Sequence, residues 1–170
     1  MKFLELAKNR YSCKKYDGRQ IEKEQLDAIL EAGRLAPTAK NLQEQRIYVV
    51  QTEEALAKLD GETPCRYNAP TVLVVAFDRN NVFTYPGDSK NSGAEDASIV
   101  ATHMMLAAAD IGVDSCWVNF FDPDKMARAL GLPENEEVVM ALDLGYGAEG
   151  AEPLPTHEAS KTIDDIVKYI

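Results

Sequence analysis

The stretch over residues 93–111 constrains the fold of this 170-residue chain more than any other part of it. Its apolar residues fall on most sides of a helix, and such a helix is usually central and covered on nearly all sides. Gly112 follows as a natural C-terminal stop. The continuous apolar run over residues 71–77 predicts a strand buried on both faces. The chain therefore needs layers of structure around both elements.

The rest of the chain mixes helical and strand patterns. Helices are predicted at about residues 3–9, 21–35, 53–59, 123–130 and 162–169, and strands at 46–51, 113–121 and 137–145. Residues 60–70 and 80–92 have no confident assignment, and loops of that length are often functional or mobile. The order predicts a sheet of about four strands covered by helices on both faces. A single domain over residues 1–170 is expected.

Charge is distributed unevenly along the chain. The net charge is −10, which argues against a nucleic-acid surface. Residues 1–23 nevertheless hold seven Lys or Arg against three acids, a net charge of +4, whereas residues 92–170 hold four against fifteen, a net charge of −11. The basic N-terminal region is either reserved for a small anion or is simply a solvated helix end, and charge alone leaves both readings open.

Cysteine content and hydropathy limit the compartment and the partners. The three cysteines are an odd number without CxxC or metal-ligand spacing, so we expect no metal site and a reducing cytoplasm. The apolar runs are too short to span a bilayer, and the amphipathic start of the chain is not typical of a signal peptide. No membrane association is expected.

Two short segments carry the functional signal. The first, Arg10-Tyr-Ser-Cys-Lys14, places two cations and a hydroxyl within five residues and suits an anion. The second, Ala36-Pro-Thr-Ala-Lys-Asn-Leu-Gln43, offers small residues and two side-chain amides suited to the polar rim of a flat heterocycle. Motifs for self-sufficient catalysis are missing, and His103 is expected to be a hydrogen-bonded core residue and His157 an exposed one. A bound cofactor must then supply the reactivity.

Together these segments resemble the flavin-binding motifs of the nitroreductase family of FMN-dependent oxidoreductases. The resemblance extends in order through most of the chain, as the following five further matches show: the long helix ending Asp110-Ile-Gly112, then Asp114-Ser-Cys-Trp-Val-Asn-Phe-Phe121, Leu130-Gly-Leu-Pro133, Leu144-Gly-Tyr146 and Ser160-Lys-Thr-Ile-Asp-Asp-Ile166. It implies an α+β fold with three layers, α/β/α, around a mostly antiparallel sheet.

The resemblance also implies a homodimer with FMN at the subunit interface. One subunit would supply the first segment, with Lys14 stabilising negative charge at the flavin N1–O2 edge, and the other subunit would supply the second. Lys161 would approach the phosphate, and a backbone N–H of residues 117–120 would bond flavin N5. The implied site residues are Arg10, Tyr11, Ser12, Lys14, Pro37, Thr38, Ala39, Asn41, Gln43, Trp117, Val118, Asn119, Phe120 and Lys161.

The chain departs from the family pattern at several positions. Thr38 stands where Ser is commoner and keeps the hydroxyl, whereas Lys14 stands for Arg and keeps only the charge. Asn119-Phe120 stands where some branches have Glu-Gly, and Glu44 stands where Pro is frequent. The C-terminal segment offers one cation, Lys161, where the family usually has Arg. Trp117 is equally compatible with a core aromatic.

The leading interpretation is an enzyme that oxidises NADH or NADPH and reduces a small oxidant, such as a nitroaromatic or a quinone, by a ping-pong mechanism through flavin N5. A non-catalytic flavin carrier or sensor would share the same motifs. Dehalogenation or flavin fragmentation on a similar scaffold is less favoured, because the short chain leaves less room for an elaborate lid.

Overall fold

The structure is a computed structural model that describes residues 2–87 and 89–170. Its α-helices are Phe3–Asn9 (α1), Lys23–Arg34 (α2), Glu53–Asp60 (α3), Gly93–Asp110 (α4), Pro123–Leu130 (α5) and Ile163–Ile166 (α6). Its strands are Gln45–Val50 (β1), Thr71–Asp78 (β2), Asp114–Val118 (β3) and Glu136–Gly145 (β4). Short 3-10 helices cover Ala39–Asn41, Arg79–Asn81 and Pro155–Glu158. Residue 1 of the expected domain and residue 88 of the predicted loop 80–92 lie outside the described residues.

The four strands form one sheet in the order β1-β2-β4-β3. Each neighbouring pair is antiparallel, with Val50 opposite Val72 in the first pair and Trp117 opposite Leu142 in the last. A bulge interrupts the pairing of β2 with β4 after Val75. The expected α+β fold with a mostly antiparallel sheet of about four strands is confirmed.

Strand β2 divides the core into two apolar clusters because its side chains alternate between the faces of the sheet. Leu73 and Val75 pack with residues of α2 and α4. Val72 and Val74 pack with residues of α3 and α5 on the other face. The expected helices on both faces, and hence the three-layer arrangement, are confirmed.

Helix α4 buries one side in this chain. Its fully buried apolar side chains are Ala97, Val100, Ala101, Met104 and Ala108. Ile99 and Leu106 are only half-buried, and His103 is exposed with its Nδ1 2.9 Å from the Ile99 carbonyl oxygen. The prediction that this helix is covered on nearly all sides is therefore wrong for the single chain, and so is the prediction of a core His103.

Two predicted elements are shorter than expected. Strand β3 ends at Val118 and not at residue 121, since the next side chain, Asn119, donates from Nδ2 to the Val139 carbonyl at 2.8 Å and replaces the strand ladder. Helix α6 covers Ile163–Ile166 in place of residues 162–169, and residues 158–170 are exposed throughout. Its apolar positions stay exposed among the residues that the structure describes, so packing does not stabilise a longer helix.

Within residues 2–87 and 89–170, none of the helices combines the length and the apolarity that crossing a bilayer requires. The same residues contain no group of three or more His, Cys, Asp or Glu side chains arranged to hold a metal ion.

Candidate functional site

The first candidate segment is held by its backbone. Ser12 pairs with Ser115 of β3 in a parallel bridge, and the Cys13 N–H donates to the Ser115 carbonyl at 3.0 Å. Farther along, the Lys15 carbonyl accepts from Ala148 N–H at 2.9 Å. The segment therefore lies as a short added strand along the free edge of β3.

The side chains of this extended segment divide between a buried cluster and a cavity, and Tyr11 contacts both. Cys13 is fully buried in a small cluster with Tyr16 and Ala69. Side chains of the other positions line a cavity of about 400 Å³. The lining residues are Arg10, Tyr11, Ser12, Lys14, Cys116, Trp117, Leu154, Thr156 and His157. Five predicted site residues, Arg10, Tyr11, Ser12, Lys14 and Trp117, are thus brought together.

The charge that this cavity presents is positive. Among the described residues, neither Arg10 nor Lys14 forms an ion pair, whereas the neighbouring Lys15 ammonium donates to the Glu149 carbonyl at 2.8 Å. Burial, followed by the charge of Asp114, raises the pKa of Tyr11 to about 12. This phenol is neutral near pH 7, so the two cations dominate and an anion is the favoured occupant.

Cys116 also lines the cavity without offering a reactive thiolate. Burial raises its pKa to about 11, with a smaller contribution from Asp143, and the nearby Lys14 only partly opposes this shift. Burial likewise raises the pKa of Cys13. Because the thiolate is the nucleophile, these cysteines are poor candidates for covalent chemistry.

His157 is a site residue that the sequence reasoning missed. It was expected to be exposed, but it is half-buried, lines the cavity and has its Nε2 3.1 Å from the Lys8 carbonyl oxygen. A lone histidine in a Pro-rich segment carries no local signal. It comes near Arg10 only because it contacts Lys8, a residue 149 positions away in the sequence.

The predicted residues at the end of β3 divide between the two faces of the sheet. Trp117 packs against the cluster of α2 and α4, and its Nε1 donates to the Asn119 Oδ1. The Val118 side chain is buried in the opposite cluster, so only its backbone could reach a ligand beside Trp117. Phe120 is 73% exposed, and its carbonyl accepts from the Thr63 hydroxyl at 2.8 Å.

The second candidate segment is a strained turn. Lys40, Asn41 and Gln43 have φ values of 51°, 55° and 55°, in the left-handed region that costs side-chain-bearing residues about 1–2 kcal/mol each. The Gln43 N–H donates to the Thr38 hydroxyl at 3.1 Å, and the Gln43 amide donates to Asn41 Oδ1 at 3.0 Å. Pro37 immediately before it is exposed.

The anchor of this turn is a carboxylate of helix α4. The Ala39 N–H lies 3.0 and 3.1 Å from the two oxygens of Asp96, in the first turn of the helix. Arg10 of the first segment lies instead at the other end of α4, where it lines a depression together with Ala109. At 1.5 Å of rise per residue, the two segments are roughly 20 Å apart along the helix. A single chain does not gather both segments around one ring.

Comparison with known sequences decides the family. A sequence model of the nitroreductase family matches residues 7–66 and 64–146, which include both candidate segments. The chain belongs to the nitroreductase family.

Relatives and solved structures agree with this membership. A relative from Archaeoglobus fulgidus, provisionally named an NADH dehydrogenase/NAD(P)H nitroreductase, is 32% identical over 150 residues, which cover 84% of each chain. A nitroreductase family protein from Clostridium difficile 630 is 40% identical, with a TM-score of 0.93 over 99% of this chain and 98% of that chain. A nitroreductase from Bacteroides fragilis with bound FMN is 28% identical, with a TM-score of 0.78 over 98% and 97%.

One predicted site residue of this nitroreductase family member, Lys161, remains to be located. Lys161 is exposed, and the adjacent Ser160 lines a second depression with Lys8, Asn9 and Arg10. Lys161 therefore lies in the exposed C-terminal segment, next to a residue that shares this depression with Arg10. Its approach to a phosphate stays a prediction.

The Glu44 departure from the nitroreductase pattern also has a location. This side chain is fully buried, and its Oε1 accepts from the Ser92 hydroxyl at 3.3 Å. Burial first, and a hydrogen bond with the Asp96 carboxyl second, raise the pKa of Glu44. Glu44, which follows the turn, thus lies beside Asp96, the carboxylate that anchors the turn.

Proposed function

We propose that this chain is an FMN-dependent oxidoreductase that oxidises NADH or NADPH and reduces a small oxidant, such as a nitroaromatic or a quinone, by a ping-pong mechanism. The observation that carries the proposal is the pair of cations, Arg10 and Lys14, that face one cavity with Ser12. Within the described residues neither cation has an acidic partner, so both are free to bind an anion.

The donor set fits the phosphate and polar chain of FMN. Arg10 can hold a phosphate oxygen pair by a two-pronged contact, and the Ser12 hydroxyl can donate to the same group or to the ribityl chain. The bound FMN printed for the Bacteroides fragilis relative, and the NAD(P)H nitroreductase name of the Archaeoglobus fulgidus relative, support this assignment of cofactor and reductant.

The chain's own residues would bind and orient both partners. When bound, FMN supplies a ring that accepts a hydride at N5 and passes electrons to the oxidant. Lys14 would stabilise negative charge at the N1–O2 edge, and Asn41 and Gln43 would hydrogen-bond the polar rim. Trp117 would lie beside the ring, where its bulk excludes water from one side.

We infer that the site is shared by two copies of the chain in a homodimer. The separation of the two segments along α4 supports this, because one copy cannot supply both sets of contacts. Exposed apolar side chains support it too, notably Phe3 and Leu4 of α1 and Ile163 and Ile166 of α6. The partly exposed face of α4, which includes Ile99 and Leu106, would then be covered by the partner.

We also retain the single domain over residues 1–170, supported by one sheet that both apolar clusters share. The cytoplasm stays part of the proposal, supported by the unpaired thiols of Cys13, Cys65 and Cys116.

The test begins with cofactor uptake. Protein incubated with FMN and freed of unbound flavin should retain about one FMN per chain by absorbance, and it should sediment as a dimer. A protein that retains no flavin would overturn the proposal. Full FMN occupancy in a stable monomer would contradict the shared site alone.

The second stage separates an enzyme from a carrier. Anaerobic stopped-flow mixing with NADH or NADPH should remove the oxidised flavin absorbance within the time of one turnover, whereas a carrier or sensor would keep it. Steady-state rates at several oxidant concentrations should give parallel double-reciprocal lines. Intersecting lines would contradict the ping-pong order but would remain compatible with an oxidoreductase.

A further inference from the structure

Two buried carboxyl groups meet beneath the 38–43 turn. Glu44 is fully buried and Asp96 is 4% exposed, and both carboxyls lie at the start of α4, where Glu44 Oε1 accepts from the Ser92 hydroxyl at 3.3 Å and Asp96 follows in the first turn. Two ionised carboxylates at this range repel strongly, and burial removes the water that would screen them. Burial and repulsion therefore favour a pair that keeps one proton between its two members.

The hydrogen bonds identify the residue that carries this proton. Both Asp96 oxygens accept from the Ala39 N–H, and the first turn of α4 favours a negative charge at this position. Glu44 Oε1 accepts from Ser92, but the buried Oε2 has no donor among the described residues. If Oε2 is protonated, it can donate to Asp96 and is satisfied. Glu44 is therefore the neutral partner.

The charged groups near the pair do not offer an alternative partner. On the turn, the Lys40 ammonium lies 4.6 Å above the Phe83 ring, and on β1, Arg46 pairs with Asp78 and Glu136. On α4, Glu95 accepts from the Tyr85 hydroxyl. Among the described residues, Asp96 is thus the charged group that faces Glu44.

The turn needs such an anchor because its backbone is strained. Lys40, Asn41 and Gln43 all occupy the left-handed region, and such conformations persist only where the surroundings fix them. Asp96 fixes the first N–H of the turn at Ala39. Glu44 leads directly out of the turn into β1, so the pair clamps both ends of the segment.

We propose that Glu44 is a positioning residue, which in its protonated form holds the Asp96 carboxylate against the Ala39 amide and so keeps the 38–43 turn in the shape that binds FMN. This inference rests on the proposed function for its ligand. It makes FMN binding sensitive to pH. Because the pKa of Glu44 is raised in the folded chain, the clamp is present at low pH and is lost as pH rises through that raised value.

The test compares the wild type with Glu44→Gln and Glu44→Leu over pH 6 to pH 9.5, by fluorescence titration with FMN. Wild-type binding should weaken by about tenfold toward the alkaline end, the size of effect expected for one lost charged hydrogen bond. Glu44→Gln donates from its amide at every pH and should bind FMN with no such fall. Glu44→Leu should bind about tenfold more weakly than Glu44→Gln throughout.

An equal pH slope in the wild type and in Glu44→Gln would overturn the proposal, since the ionisation of FMN itself is common to both proteins. Wild-type affinity in Glu44→Leu would also overturn it. If the Leu variant does not fold, the Gln comparison decides alone.

A second readout needs no flavin and separates this inference from the proposed function. Hydrogen exchange of the Ala39 amide in the flavin-free chain should accelerate with pH beyond the intrinsic base dependence in the wild type, but not in Glu44→Gln. A protein that binds no FMN at any pH yet shows this exchange difference would refute the proposed function and keep the clamp. Identical exchange profiles in both proteins would refute the clamp.

Discussion

The two candidate segments lie at opposite ends of α4 and are built in different ways. The segment with Arg10, Ser12 and Lys14 is held to the edge of β3 by backbone hydrogen bonds. The 38–43 turn is held by side chains, namely the Asp96 carboxylate and the Thr38 hydroxyl. A backbone anchor tolerates side-chain substitution, whereas a side-chain anchor depends on residue identity and on pH.

This difference leaves the first segment free to vary its cavity-facing residues without losing its shape. Lys14 can therefore replace the usual Arg at little structural cost. The second segment, in contrast, is anchored by the buried Asp96 carboxylate, and Glu44, also buried, stands next to the turn where proline is frequent. The contrast leads to four predictions, which should either break it or sharpen it.

The largest effect on stability is expected at Asp143, a buried acid of β4 that lies opposite Cys116 of β3. Its side chain anchors neither segment. Burial raises its pKa from 3.8 to about 8, and the charge of Arg66 opposes this only in part. Because the pKa is raised in the folded chain, the free energy of unfolding of the wild type is highest below about pH 4 and falls as pH rises toward 8. Asp143→Asn should remove this fall and raise the free energy of unfolding at pH 7 by about 4 kcal/mol.

Urea unfolding at pH 5, 7 and 9 measures this prediction for the wild type and the variant. FMN affinity should stay the same in Asp143→Asn, because the first segment is held by its backbone. A weakened FMN affinity would break the comparison, since a buried side chain would then matter at both ends of α4.

The next largest effect is expected for the cations themselves. Arg10→Ala and Lys14→Ala should each weaken FMN binding by about 2–3 kcal/mol, the contribution of a hydrogen bond to a charged group. Lys15→Ala is the matched control, since the Lys15 ammonium binds the Glu149 carbonyl and should leave affinity unchanged. Fluorescence titration checks all three. Unchanged affinity in both Arg10→Ala and Lys14→Ala would remove these residues from the site.

Elements with local signals at both ends could be predicted from the sequence. Helix α5 begins and ends as expected because Asp122 caps its start, accepting from the Asp124 and Lys125 amides at 3.0 and 3.1 Å. Its end is set by Gly131, whose φ of 72° suits glycine best. The two candidate segments were found in the same way, since each is a short local motif.

Features that depend on distant contacts could not be predicted. Glu44 meets the α4 carboxylate Asp96 across 52 positions, and nothing beside either residue indicates the other. His157 likewise contacts the Lys8 carbonyl, and no local sequence pattern indicates this contact. The final helix was predicted too long because its apolar periodicity favours a longer helix, whereas residues 158–170 are exposed and do not pack on the rest of the described chain.

Two glycines, one near each segment, give the third prediction. A Cβ at Gly93 would overlap the buried Phe77 ring, whereas a Cβ at Gly145 would lie 2.9 Å from atoms of Pro70 and Tyr16. Gly93→Ala should lower the free energy of unfolding by about 2 kcal/mol and Gly145→Ala by about 1 kcal/mol.

The two glycine variants should also differ in FMN binding. Gly93 follows Ser92, which binds Glu44, so a shift of the start of α4 should weaken FMN affinity in Gly93→Ala. Gly145→Ala should bind FMN nearly as well as the wild type. Equal losses of affinity in both variants would mean that the two ends respond alike to packing strain.

The smallest effect separates the two kinds of anchor most directly. Thr38→Ala removes the hydroxyl that accepts from the Gln43 N–H at 3.1 Å and should cost about 1 kcal/mol in the free energy of unfolding of the flavin-free chain. Thr38→Ser keeps the acceptor and should cost much less. Ser12→Ala removes a hydroxyl from the other segment, where the backbone does the holding, so flavin-free stability should barely change. If Ser12→Ala destabilises the flavin-free chain as much as Thr38→Ala does, the distinction between backbone-held and side-chain-held segments is wrong.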